Sequence, residues 1–134
     1  MSGTVTTTNI SPTIQIGSID LQLTSNKNGK IVFDEQGALI GRVTEQYIDD
    51  WGRPVSLLDH TIVFEGGDTI ETSGDVAAIN GATSECDLIV DEVISSFWGT
   101  KFFKRASGTI NASGTINICG DNNQFELSGT VCLK

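Results

Sequence analysis

From residue 13 onward, apolar and polar residues alternate with the period of two that marks strands whose faces meet different surroundings. Ile14 and Ile16 share one face, while Ile19, Leu21 and Leu23 share a face shifted by one, so the step at Gly17-Ser18 predicts a β-bulge. Residues 31–33 read as a short apolar strand, closed by the polar run 34–37. Residues 38–50 read as a long strand. It carries Leu39, Gly41, Val43, Glu45 and Tyr47 on one side and Ile40, Arg42, Thr44, Gln46 and Ile48 on the other. DDWGRP at 49–54 predicts a turn, and the strand after it sets Leu58, His60, Ile62 and Phe64 on one face. Gly66-Gly67-Asp68 and Asn80-Gly81 predict two further hairpin turns.

Residues 84–97 fit either a strand or a short helix, and the weight of Ile and Val without a helix cap favours the strand. Alternation returns over 108–119 and 124–133, on either side of a turn at 120–123. Residues 1–12, rich in Thr, Ser and Asn and ending at Pro12, read as a flexible arm, which leaves 13–134 as one domain. The tetrapeptide SGTI at 107–110 and 113–116, with SGTV at 128–131, recurs without a fixed period and marks no solenoid. Strands joined by short turns must hide their edges, and closing the sheet on itself does this. The expected fold is therefore all-β: a small antiparallel barrel with a central cavity, with a sandwich as the alternative.

Charge narrows the partners. The chain has 17 acidic against 8 basic side chains, a net charge of −9. Phosphate backbones and anionic membranes are bound mainly through Lys and Arg, so neither nucleic acid nor a membrane surface is an expected partner. No stretch approaches the ~18 apolar residues of a membrane span. The N-terminus has no basic start and no apolar run, so no secretory leader is expected. Cys86, Cys119 and Cys132 are widely spaced without a CxxC pair, and His60 is the only histidine, so no metal site is expected. Each cysteine reads as a small buried hydrophobe, which points to a reducing cytoplasm.

The sequence lacks a GxSxG elbow, a glycine-rich phosphate loop and GxGxxG, which removes the corresponding hydrolase and nucleotide chemistry. No cofactor is expected; an enzyme of this composition works by shape, orientation and a few polar contacts. If the face carrying Leu39 and Val43 is inward, Glu45 is a charge inside a barrel and, with Tyr47, a catalytic candidate. On the opposite assignment both are solvated. His60 shares an apolar face and is either a satisfied core histidine or a catalytic one. Three of the eight bases, Lys101, Lys104 and Arg105, fall in the aromatic stretch 97–105. There Trp98 and Phe103 are candidates for lining the barrel mouth, and Lys104 or Arg105 for attracting an enolate-like head group; a solvated hairpin end is the other reading. Trp51 in the DDWGRP turn is a lid residue or a dimer contact.

The stretches FDEQGALIGRVTEQYIDD, HTIVFEGGDTIETSGD, FFKRASGTINASGTI and NNQFELSG, in that order, resemble the allene-oxide-cyclase-like barrels. Within that group the chain looks most like the bacterial spirotetronate and spirotetramate cyclases, known as Diels–Alderases. The resemblance spans about residues 31–130 and rests on the order of the motifs, none of which is catalytic. It implies an eight-stranded, calycin-like barrel, a homodimer, and no cofactor. It also implies an intramolecular [4+2] cycloaddition, all-carbon or hetero, of a linear polyene of polyketide type. By position it makes Tyr47 a cavity aromatic, makes Phe125 and Leu127 a large apolar pair on the last strand, and puts Leu58 where a relative uses tyrosine against an acidic ring. His60, on the face of Leu58, is the candidate replacement. A lipocalin-like binder without turnover, or a barrel with a filled core, uses the same pattern.

Overall fold

The computed structural model describes residues 1–133 and is built almost wholly of antiparallel strands. They are β1 (Ser2–Ser11), β2 (Ile14–Thr24), β3 (Ile31–Ile48), β4 (Pro54–Phe64), β5 (Thr69–Thr72), β6 (Asp75–Ala82), β7 (Asp87–Ile94), β8 (Phe97–Gly99), β9 (Ser107–Asn117) and β10 (Asn123–Cys132). Eight of them run in the order β3-β2-β1-β10-β9-β7-β6-β4, and pairing of β4 with β3 closes the ring. The remaining two, β5 and β8, extend the sheet beside β4, and a 3-10 turn at Lys101–Phe103 follows them. Closure leaves no long free edge, the solution anticipated from short strands and tight turns.

Inward positions follow the pleat. Val5 and Thr7 on β1, Ile19, Leu21 and Leu23 on β2, and Leu39 and Gly41 on β3 are buried. So are Leu58, His60, Ile62 and Phe64 on β4, Val90, Glu92 and Ile94 on β7, Ile110 and Ala112 on β9, and Leu127 on β10. One end of the barrel is sealed by aromatic rings. Phe33 packs on Phe64 and Phe103 with centroids 5.0 and 4.9 Å apart, and Phe102 flanks the group. Buried Asp68 holds this plug in place by accepting a 2.8 Å bond from the Phe102 backbone N–H.

The supposed N-terminal arm is strand β1, hydrogen-bonded to β2 on one side and β10 on the other. Threonine's β-branched side chain suits a pleated strand, and Thr7 is buried against Asn123. The register of β2 runs unbroken through Gly17, so the expected bulge is absent there; Ile14 and Ile16 turn outward and Gln15 turns inward. Gly17 instead allows close strand approach, since a Cβ there would sit 1.9 Å from the Thr6 carbonyl oxygen. Asn80-Gly81 lies inside β6, at an irregularity between Ile79 and Gly81, and the chain reverses at 83–86. Residues 87–94 are a strand, as their Ile and Val content favours.

The cysteines are a second correction. Cys86 and Cys119 form a disulfide, Cα to Cα 5.3 Å, joining the β6–β7 and β9–β10 loops, while Cys132 is free and exposed. Their 33-residue separation concealed a pairing that β7–β9 adjacency creates.

Candidate active site

His60 on β4, Asp75 at the start of β6, Thr72 on β5 and Glu92 on β7 meet inside the barrel, all buried. His60 Nδ1 lies 2.6 Å from Asp75 Oδ2 and 3.8 Å from Glu92 Oε1. The Thr72 hydroxyl donates to the same Asp75 oxygen, and accepts a 2.9 Å bond from the His60 backbone N–H. Gly41 lies opposite His60 across the β3–β4 ladder, and a Cβ there would stand 3.0 Å from the imidazole Cδ2 and Nε2. The missing side chain is what makes room for the ring. Asp75 Oδ1 and Glu92 Oε1 have no hydrogen-bond partner among the described residues.

Two carboxyls and one imidazole in a low-dielectric space cannot all be charged cheaply. Burial by itself depresses the His60 pKa, but the Asp75 hydrogen bond and the Glu92, Asp75 and Asp59 carboxylates outweigh it and raise the value above that of an ordinary histidine. Burial pushes the Glu92 carboxyl up, the Asp75 charge adds to this, and the His60 imidazolium opposes it. The resulting arrangement is a hydrogen-bonded His60–Asp75 pair beside a glutamate, with both the His60 imidazole and the Glu92 carboxyl shifted toward their protonated forms.

His60 Nδ1 and single oxygens of Asp75 and Glu92 lie within 4.8 Å of one another, a grouping that can be compared with a metal site. A cation requires a lone pair on the imidazole and ionised carboxyls. The hydrogen bond between His60 and Asp75, the Thr72 bond to Asp75 and the upward shift at Glu92 therefore compete with any cation for these atoms.

The lumen beside the cluster is divided. A chamber of about 50 Å³ is lined by His60, Thr72 and Glu92 together with apolar groups such as Ile62, Ile110 and Leu127. A second, about 60 Å³, is lined by Val43, Leu58, Ile79, Val90 and Ile116, among others. Gln15, Glu92 and Phe125 border both. The single open cavity expected from the barrel pattern is therefore replaced by two small chambers, each far below the ~300–1,000 Å³ of a drug-sized site. Hollows of about 440 and 570 Å³ lie elsewhere and contain none of the cluster residues.

Of the sequence candidates, His60, Leu58, Phe125 and Leu127 line the lumen. Glu45 and Tyr47 do not. The β3–β4 register slips between Val43 and Glu45, so the extra residue reverses the pleat and both side chains are exposed. Trp98 is exposed, since Phe97 takes the inward position beside it, and Lys104 is exposed after the 3-10 turn. Phe103 is fully buried in the plug. The stretch 97–105 thus closes an end of the barrel and borders no mouth of either chamber. Trp51 is exposed at the tip between β3 and β4.

Thr72, Asp75 and Glu92 were not anticipated. Glu92 had a visible signal, since it occupies the apolar parity between Val90 and Ile94. Asp75 and Thr72 fall in the polar run ETSGD, which gives no such signal.

No family model, curated protein or solved structure matches the chain. Among the described residues, no helix is long and apolar enough to cross a membrane.

Proposed function

We propose that the barrel is a cofactor-independent cyclase that admits an apolar, carbonyl-bearing polyene by widening its two small lumen chambers, about 50 and 60 Å³ as they stand, and promotes an intramolecular [4+2] cycloaddition. The observation that carries this reading is the buried His60–Asp75–Glu92 group facing an interior lined mainly by apolar side chains, with Thr7, Gln15 and Thr72 as the other polar groups. Apolar side chains fill such positions at lower cost, so a charged pair and an unpartnered acid there point to chemistry. Glu92 donates a hydrogen bond to the guest carbonyl, draws electron density from the conjugated alkene and stabilises the charge that develops on oxygen. His60 and Asp75 hold the neighbouring charge fixed, and the wall supplies the near-attack geometry. Leu58, Phe125 and Leu127 pack against the hydrocarbon. The resemblance to the spirotetronate and spirotetramate cyclases supports the reaction class and brings with it a homodimer. The cytoplasmic placement rests on the expected lack of a leader and of a membrane span together with unpaired cysteines; the Cys86–Cys119 bond removes the last of these grounds and favours an oxidising compartment.

The test is incubation with a linear polyene whose dienophile alkene is conjugated to a tetronate or tetramate carbonyl set within the chain, followed by chromatography and mass spectrometry. The protein is expected to raise the cyclisation rate above background, and Glu92→Leu, which removes the donor, to reduce that gain about 100-fold, in keeping with loss of a positioned hydrogen-bonding group. Binding of the polyene without acceleration would overturn the enzyme and leave a lipocalin-like carrier.

A further inference from the structure

The two chambers are separated by side chains, not by backbone. Phe125 on β10 and Gln15 on β2 are both half-buried, and with Glu92 they form the wall common to the two spaces. Each lies beside a glycine. Phe125 pairs across the ladder with Gly114 on β9, and Gln15 pairs with Gly41 on β3. Gly114 brings no side chain against Phe125, whereas the space over Gly41 beside Gln15 is taken by the His60 ring, so Phe125 is the freer of the two to change rotamer. On the far side Phe125 is flanked by Val5.

We propose that Phe125 and Gln15 form a swinging partition, and that the guest is an elongated molecule occupying both chambers, its carbonyl internal and flanked by apolar arms. The argument rests on the reading of Glu92 as the polar contact in the lumen and adds to it the position of that contact. Glu92 stands at the junction, with apolar walls on both sides: Ile62, Ile110 and Leu127 in one direction, Val43, Ile79 and Ile116 in the other. A guest with its polar group at one end can fill one chamber only, whereas an internal carbonyl reaches Glu92 while its arms extend into both. With the partition swung aside, the two spaces join past Glu92. Phe125 is in this sense a specificity-determining residue, selecting guests by length.

The probe is 6-propionyl-2-dimethylaminonaphthalene, a fluorophore with an internal ketone whose emission shifts to the red on hydrogen bonding. Phe125→Ala is expected to bind it about tenfold more tightly than wild type, the equivalent of roughly 60 Å² of newly accessible apolar contact. Phe125→Trp is expected to weaken binding, and Glu92→Leu, which leaves no donor, placed on Phe125→Ala to remove the red shift. Phe125→Leu, a smaller excision, gives the same direction if the alanine variant does not fold, and thermal melting reports folding throughout. Equal affinity of wild type, Phe125→Leu and every folded Phe125→Ala sample would overturn the partition. The readout is binding, so it separates from the cyclase reading. Tighter binding in variants that never cyclise a polyene sinks the cyclase and keeps the partition; cyclisation with unchanged probe affinity does the reverse.

Discussion

His60 Nδ1 and Asp75 Oδ2 stand 2.6 Å apart on neighbouring strands, a hydrogen-bonded pair buried inside a ring of sheet. Thr72 caps the same carboxylate oxygen, so both partners are fixed by more than their mutual attraction. Asp75→Asn keeps the shape and removes the charge, leaving a buried imidazolium uncompensated. The expected loss is about 3–5 kcal/mol in urea unfolding. A loss below about 1 kcal/mol, the range of an exposed pair, would show that His60 is neutral in the native protein.

The pH dependence has a definite sign. Both His60 and Glu92 have native pKa values raised above their ordinary 6.5 and 4.5, so the native state binds more protons than the unfolded chain. Stability from these groups is fully present below the unfolded values and is lost as pH rises through the native ones. For Glu92 the loss begins above about 4.5, and for His60 above about 6.5. Glu92→Gln is expected to flatten the part of the decline that starts at the lower value. Stability curves of the variant and wild type that run parallel from pH 4 to 9 would contradict this assignment.

Much of the fold was legible because burial on one face forces a period of two, and the inward set Leu58, His60, Ile62 and Phe64 followed directly. Two kinds of information were not local. The slip between Val43 and Glu45 depends on what β4 presents opposite, and it alone turned Glu45 and Tyr47 outward. Asp75 gains meaning only from strand pairing, which sets it against Leu58 and within reach of His60. Glu92 was readable, as an acid interrupting an apolar face, but its segment was ambiguous between strand and helix and the interruption passed unweighed.

Metal addition separates a protonic cluster from a cation centre. Zinc or manganese titrated to millimolar concentration near pH 6 is expected to leave the melting temperature unchanged, because the shifts of His60 and Glu92 toward their protonated forms set protons in competition with the ion. A saturable rise, abolished in Glu92→Gln, would mean that the ion outcompetes those protons and that the group is a metal centre.

The Cys86–Cys119 bond closes a loop with a sequence separation of 33. Loop-closure entropy assigns such a bond about 3–4 kcal/mol. Reduction is expected to lower the melting temperature by about 10 °C. Mass spectrometry of the protein as isolated, alkylated with and without reductant, is expected to show one free thiol before reduction, that of Cys132, and three after it. Three reactive thiols in the untreated protein would return the chain to a reducing compartment.

The ring of phenylalanines at Phe33, Phe64 and Phe103 makes the barrel a blind alley. Under the cyclase proposal, product would leave by the end through which substrate entered, and the time it takes to leave would set a ceiling on turnover.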